Sequence, residues 1–395
     1  MAIILSHSSA LTFWTLLRID GSLMLPAGCD VVPVRTSPLS FARATRKELA
    51  RISSVLDPSV LDALALRCAV DVLVGQGRHY DKPRGLHAHS TTLDFAPGSF
   101  FRIAPDLFVV SPSLCFCQMG ETLGLVDMIR LGDELCGTYA AREGRIAFSI
   151  DPLVTRLTLE RRLRSLPPVR GKVRALQAMR YVVGNSASPR ETALEAMLVL
   201  PRHKGGFGLP APEMNGSIKV LRGNAGRSID AFQKSASGDP RMRGQNMQAV
   251  SRMHGEDAHG AMPRFQGGIE DGNGTLWKDM RSSVGDSRKN RCPEGSFLRC
   301  DLLWRSFGVA VEYDSDSYHA NAERIERDAL RRDLLEHMGI HVLTVTRRRF
   351  SSLTMLEEFA YELRRALGVR FRTLTPKQEH ARHALHAALM NQVGW

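Results

Sequence analysis

With 395 residues, 43% of them hydrophobic, the chain is long enough for two or three domains with proper cores, and its composition excludes a fibrous or wholly disordered protein. A formal net charge of +12 and a pI of about 9.7 favour a polyanionic partner, nucleic acid before anionic membrane. No apolar run reaches about 18 residues and the start lacks a basic, then apolar, leader pattern, so the expectation is a cytoplasmic protein with no membrane partner.

The seven cysteines form no Cys-x-x-Cys set, and an odd number in a chain of this length argues against a disulfide framework. Residues 1–40 read as strand and turn: Ile4-Leu5 is apolar, 13–17 mostly so, and Pro26-Ala27-Gly28 turns. A basic helix is expected over 40–52, with Ser40 as cap, and a short helix over 60–69. Residues 70–74 read as a buried strand. His79, His87 and His89 follow in a loop-rich stretch. His87-Ala88-His89 places two imidazoles on one strand face, a metal-binding pair without an evident third ligand; ordinary surface histidines are the plainer reading.

Residues 100–103 and 107–110 read as strands split by Pro105. Cys115-Phe116-Cys117 alternates like a strand with both thiols packing on one face, while 111–119 also leads into a helical pattern carried by Leu125, Met128, Ile129 and Leu131. Helices are expected over 157–166 and 173–182. Ser188-Pro189-Arg190-Glu191 then announces another helix: a capping serine, proline at the first position, and an acid in the first turn. Residues 221–290 are glycine-rich with few apolar runs, and read as a flexible insertion. Two apolar strands follow, then a charged helix over 322–338, a strand over 340–345, a basic cluster at Arg347, Arg348 and Arg349, and helices over 352–367 and 376–390.

The two strands carry the chemistry. Cys300-Asp301-Leu302-Leu303-Trp304 and Val309-Ala310-Val311-Glu312-Tyr313-Asp314 hold three carboxylates that packing does not require. Buried carboxylates cost free energy unless a metal ion or a basic partner offsets it. Carboxylate-held Mg²⁺, or Mn²⁺, supplies the charge stabilisation and activated water of phosphodiester hydrolysis. Asp301 and Glu312 are the expected ligands, with the Tyr313 carbonyl in reach. Asp314 is a second ligand or a water-orienting group, or a turn-stabilising residue. Glu191 completes the cluster from its helix, or serves that helix's N-terminus. His319 is a general base, a phosphate-holding group or a structural hydrogen-bonding residue. Arg331 or Arg332 reaches a substrate phosphate, as does at least one of Arg347, Arg348 and Arg349.

These residues resemble the PD-(D/E)XK restriction-endonuclease-like superfamily, in the branch related to very-short-patch repair endonucleases. The resemblance rests on Asp301-Leu302-Leu303-Trp304, Val311-Glu312-Tyr313-Asp314, His319, Arg327-Asp328 and Gly339-Ile340-His341-Val342, with the family's acidic helix at Ser188-Pro189-Arg190-Glu191. It implies an α/β fold: a restriction-endonuclease-like core, a mixed sheet flanked by helices, over 184–370 with 221–290 inserted. It also implies Glu191, Asp301 and Glu312 gathered around a divalent ion. The family's lysine two residues after the strand acid is Asp314 here, which removes a positive group near the attacking water. An α+β region over 1–183, regulatory or DNA-binding, more distantly resembles abortive-infection antitoxins, and 371–395 reads as a helical tail. The expected function is a metal-dependent DNA endonuclease of repair or of defence against phage and mobile elements. The expected partners are DNA, a second copy of the chain, and a toxin or defence-system component. The alternatives are an antitoxin-like DNA-binding regulator on a degenerate nuclease fold, and a protein-interaction scaffold.

Overall fold

The computed structural model describes residues 2–20, 31–39, 70–75, 86–142, 144–219, 297–314, 322–370 and 372–392. The helices expected over 40–52 and 60–69, His79, the insertion over 221–290 and His319 lie outside the described residues. The architecture is α/β, with sheets flanked by helices. The chain divides into two compact units, Met1–Asn215 with Val345–Trp395, and Gly216–Thr344. No helix among the described residues is long and apolar enough to cross a membrane.

In the first unit, strands β1 (Ile3–Leu5), β2 (Val32–Pro33), β3 (Val70–Gly75), β4 (Leu86–Thr91), β5 (Phe100–Ala104) and β6 (Leu107–Val110) form a mixed sheet in the order β2-β5-β6-β1-β3-β4. β3 is buried at every position, as its valine-rich sequence suggests. It pairs in parallel with β4, at the sheet edge, and the register sets Asp71 beside His87 and Leu73 beside His89.

Residues 7–20, expected as strand and turn, instead form helix α1 (His7–Asp20). The cause is burial: Ala10, Phe13, Trp14, Leu16 and Arg18 are covered together with Ser9, Thr12 and Thr15, so no polar stripe marks a helical period. Trp14 donates its indole N–H to the Val110 carbonyl at 2.9 Å. The buried Arg18 guanidinium donates to the carbonyls of Glu134 (2.9 Å), Gly137 (2.8 Å) and Asp151 (3.1 Å).

The thiols of Cys115 and Cys117 belong to helix α2 (Pro112–Met119), not to a strand. Ser111 caps it, accepting the Leu114 N–H, and Pro112 opens it. Burial pushes the Cys117 thiol up to about 12, so both read as packing groups rather than thiolates. Helix α3 (Leu125–Leu135), the hairpin β7 (Tyr139–Arg142) and β8 (Arg145–Phe148), then α4 (Arg156–Ser165), α5 (Lys172–Ala178) and α6 (Pro189–Val199) complete this part of the unit.

In the second unit, a four-stranded sheet has the order β12-β11-β10-β9, with β9 (Glu213–Lys219), β10 (Phe297–Trp304), β11 (Val309–Asp314) and β12 (His341–Thr346). Helix α7 (Ala322–His337) joins β11 to β12. The core is Ile218, Leu298, Cys300, Leu303, Ala310, Leu335 and Ile340. Gly308 turns β10 into β11 at φ +63°, and a Cβ there would meet the Gly339 carbonyl at 2.8 Å. β10 and β11 run antiparallel, Leu302 opposite Val311. The C-terminal helices α8 (Arg347–Ser351), α9 (Leu353–Ala366) and α10 (Pro376–Gln392) return to the first unit, Ser352 capping α9. There α10 crosses the turn at Gly205 so closely that a Cβ would lie 2.3 Å from the Ala381 carbonyl.

The first unit also buries two acids where α3 and α6 pack. Asp133 accepts backbone N–H groups from Val183 (2.8 Å) and Gly184 (2.9 Å) through Oδ1. Among the described residues, Asp133 Oδ2 and both Glu195 oxygens find no hydrogen-bond donor. Burial pushes the Asp133 carboxyl up from 3.8 to about 7 and holds the Glu195 carboxyl well above its ordinary range. Their raised folded-state values mean that the native state binds more protons than the unfolded chain. Stability is therefore full below the ordinary carboxylate range and falls as pH rises from about 4 to about 7. Asp133→Asn is expected to flatten that slope in urea titrations run across this window. Glu195→Met, which removes two unpartnered oxygens at similar volume, is expected to raise stability at pH 7.5 by about 1–3 kcal/mol.

Candidate functional site

Two groups of polar side chains stand out, one in each unit. In the second, continuing the β10–β11 register by one step sets Asp301 opposite Glu312. Asp301 Oδ2 accepts the Tyr313 backbone N–H at 2.8 Å, so the tyrosine presents its amide to this acid. Both Glu312 oxygens accept from the Arg331 guanidinium of α7, at 2.9 and 3.0 Å, in a bidentate pair. Arg331 also donates to the Arg299 carbonyl.

Burial and then the Asp301 charge push the Glu312 carboxyl up to about 7, against the pull of Arg331. Burial likewise raises Asp301, opposed by the Tyr313 N–H and by Arg331. Although burial acts to lower the Arg331 guanidinium, the Glu312 charge outweighs it and holds the group above its ordinary value. Arg331 is thus the cation beside both acids. Asp314 ends β11 and does not join Asp301 and Glu312 in a three-donor group.

Of the other candidates, Glu191, Arg332 and Arg349 each have partners in the structure. Glu191 lies in the first unit, where its carboxylate closes the N-terminus of α6. Ser188 Oγ accepts the Glu191 N–H at 3.2 Å and donates to its Oε1 at 2.9 Å, while Oε2 accepts from the Ala187 N–H (3.0 Å) and Asn215 Nδ2 (2.8 Å). Ser188 thus caps the helix, and Glu191 folds back onto the Ser188 hydroxyl and the N–H one residue before the cap. Arg332 is exposed and donates to Thr344 Oγ1 at 3.3 Å. Arg347, Arg348 and Arg349 open α8 in the first unit; Arg349 pairs with Glu362 at 3.0 Å and lies over the Phe359 ring.

The second group was half visible in the sequence. His87 and His89 do share a strand face, and the missing third ligand is Asp71 on the neighbouring strand. His89 Nε2 lies 2.8 Å and His87 Nδ1 3.1 Å from the same Asp71 oxygen, Oδ1. One donor atom from each residue lies within 4.8 Å of the others, so the set can chelate a divalent metal ion. Only the parallel register reveals Asp71, because nothing local in Val70-Asp71-Val72 separates it from a stray strand carboxylate.

Neighbouring groups hold this cluster in place. Asp71 Oδ2 accepts the Ser8 hydroxyl hydrogen bond, and the Asp71 N–H donates to Ser9 Oγ at 2.8 Å. Burial acts to raise the Asp71 carboxyl, but hydrogen bonds from His89 and Ser8 bring it below its ordinary value. The His7 ring stacks on His89, centroids 3.4 Å apart and planes 17° off parallel. Burial first, then the neighbouring His89, drive the His7 imidazole down to about 3, so it is neutral at physiological pH.

Comparisons with protein-family models, curated proteins and solved structures find no match for this chain.

The bidentate pair yields a prediction for the second unit. Arg331→Met leaves two cross-strand carboxylates without their cation and is expected to cost about 1–3 kcal/mol, reduced from a fully buried pair by its partial exposure. Adding Glu312→Gln should return much of that loss. Additive losses in the denaturant cycle would mean that the two side chains are not coupled.

Proposed function

We propose that the chain is a metal-dependent hydrolase of phosphodiester bonds, a DNA endonuclease with its centre on Asp301 and Glu312. The observation that carries this reading is the half-buried pair of cross-strand carboxylates with a guanidinium beside it. Such a pair adds nothing to strand packing and is costly to keep. The donors are all oxygen, which suits Mg²⁺ or Mn²⁺. Asp301 and Glu312 are the residues that would hold such an ion, and the ion would supply charge neutralisation at phosphorus and an activated water. Arg331 then plays two parts. It opposes the effect of burial on the Glu312 carboxyl, and it offers a planar donor fork to a phosphate oxygen when substrate competes for it. The mixed sheet flanked by helices and the net charge of +12 are compatible with a restriction-endonuclease-like fold working on DNA. Roles for the chain in repair or defence, and pairing with a toxin or a second copy, rest on the family resemblance alone.

The test is cleavage of plasmid and single-stranded DNA with Mg²⁺, Mn²⁺ or EDTA, wild type beside Asp301→Ala. Metal-dependent cutting that the substitution abolishes is the expected result. Glu191→Gln removes the charge while its one amide oxygen can still accept from the Ala187 N–H and Asn215 Nδ2, at the loss of the bond accepted from Ser188 Oγ, and so reports whether the helix carboxylate takes part. Salt-sensitive DNA binding without any cutting would overturn the enzyme reading in favour of the antitoxin-like regulator.

A further inference from the structure

The cluster on β3 and β4 is separate from that proposed chemistry and is better suited to a different ion. We propose that Asp71, His87 and His89 form a transition-metal site of the zinc class, with three protein ligands and the remaining coordination left to water or a small anionic ligand. This does not rest on the nuclease reading, since no residue is shared.

Three observations carry it. The first is convergence: two imidazole nitrogens from alternate positions of one strand meet the same oxygen of a carboxylate on the next. One carboxylate oxygen facing two imidazoles is more than a single hydrogen bond needs, and it is the arrangement a shared cation explains.

The second is donor chemistry. Imidazole nitrogen with one carboxylate suits Zn²⁺ and its transition-metal neighbours, whereas Mg²⁺ prefers oxygen and keeps its own water.

The third is the outer layer. Ser8 holds the second Asp71 oxygen, and the His7 ring fixes the plane of His89 by stacking. His7 itself sits at φ +48°, a backbone conformation uncommon outside glycine. It is held there by its N–H to Gln118 Oε1 (3.1 Å), by the Cys115 thiol on its carbonyl (3.5 Å) and by Ser6 Oγ near its Nδ1 (3.0 Å). Strain of this kind persists where surrounding contacts over-determine a site. The His87 side chain is 67% exposed, which gives an ion a route from solvent. Because β4 is the sheet's edge strand, an ion here would also fasten that edge to β3.

The experiment uses the tag-free full chain, stripped with chelator, in an Asp301→Ala background so that the carboxylate pair does not contribute. Co²⁺ is titrated while its visible absorption is followed, and Zn²⁺ is titrated against a chromophoric chelator. One equivalent is expected to bind, without thiolate charge-transfer bands, and Mg²⁺ at the same concentration should not displace it. His87→Ala and His89→Ala should each remove the one-equivalent binding, and Ser8→Ala should weaken it roughly 10-fold, the usual size for an outer-layer hydrogen bond. If His89→Ala unfolds through loss of its stack, the exposed His87→Ala carries the test alone. Failure of the parent protein to bind Co²⁺ or Zn²⁺, or unchanged binding in folded His87→Ala, would overturn the proposal and leave a hydrogen-bonded network only.

Discussion

A carboxylate placed in a buried strand must be answered by donors or cations, and that requirement shapes both candidate sites. Asp71 meets it with Ser8 and His89, which outweigh the effect of burial and keep it ionised. The answer depends on the β3–β4 register. Strand side chains alternate with a period of two, so a slip of one residue would turn His87 and His89 to the opposite face and leave Asp71 without imidazoles. The sheet order puts β1 on the other side of β3, and β1 leads through Ser6 straight into the start of α1, which carries His7, Ser8 and Ser9. Strand pairing on both sides of β3 thus assembles groups from three separate stretches of chain around one carboxylate.

The second unit solves the same problem differently. Asp301 and Glu312 face each other across an antiparallel pair, and the Asp301 charge adds to the difficulty Glu312 has in holding its own. A single backbone N–H serves Asp301, and a guanidinium serves Glu312. The Gly308 turn, pressed against the Gly339 carbonyl, fixes the register that brings the acids opposite each other. Arg331 reaches the strand from α7, so the cation beside the two acids comes from elsewhere in the fold.

Local signals in the sequence were reliable where local physics decides the structure. The Ser188-Pro189-Glu191 start and the valine-rich β3 correspond to what the chain does, and the helices expected from 111 and 352 begin beside the serines that cap them. The strands flanking Pro105 form the β5–β6 hairpin for the same reason. Helix α1 was illegible because its buried serines and threonines interrupt the apolar pattern that marks a helix. Cys115 and Cys117 looked strand-like because three residues cannot distinguish a period of 2 from one of 3.6. Asp71 was invisible as a ligand because its partners come from parallel pairing, which leaves no mark at short spacing. Arg331 could be named as a basic residue near the site but not placed, because two arginines side by side on a helix point in different directions.

The net charge of +12 also needs rereading in the light of where the arginines go. Arg18 spends its guanidinium on three backbone carbonyls, Arg156 bonds the Val182 carbonyl, and Arg364 bonds that of Phe207. Arg382 is buried over the Phe207 ring, pairs with Glu357 and donates to Gly206. These cations serve backbone carbonyls at helix ends and turns, where a planar fork is more useful than lysine's single ammonium. They count fully in the formal charge, but only their long-range field is offered to a polyanion. The exposed Arg332 is a different case, since it donates to a threonine hydroxyl at 3.3 Å rather than to a buried carbonyl. Basicity in this chain is therefore partly a device of its fold, and the argument for a nucleic-acid substrate rests more on the half-buried Asp301–Glu312 pair than on the sum of charges.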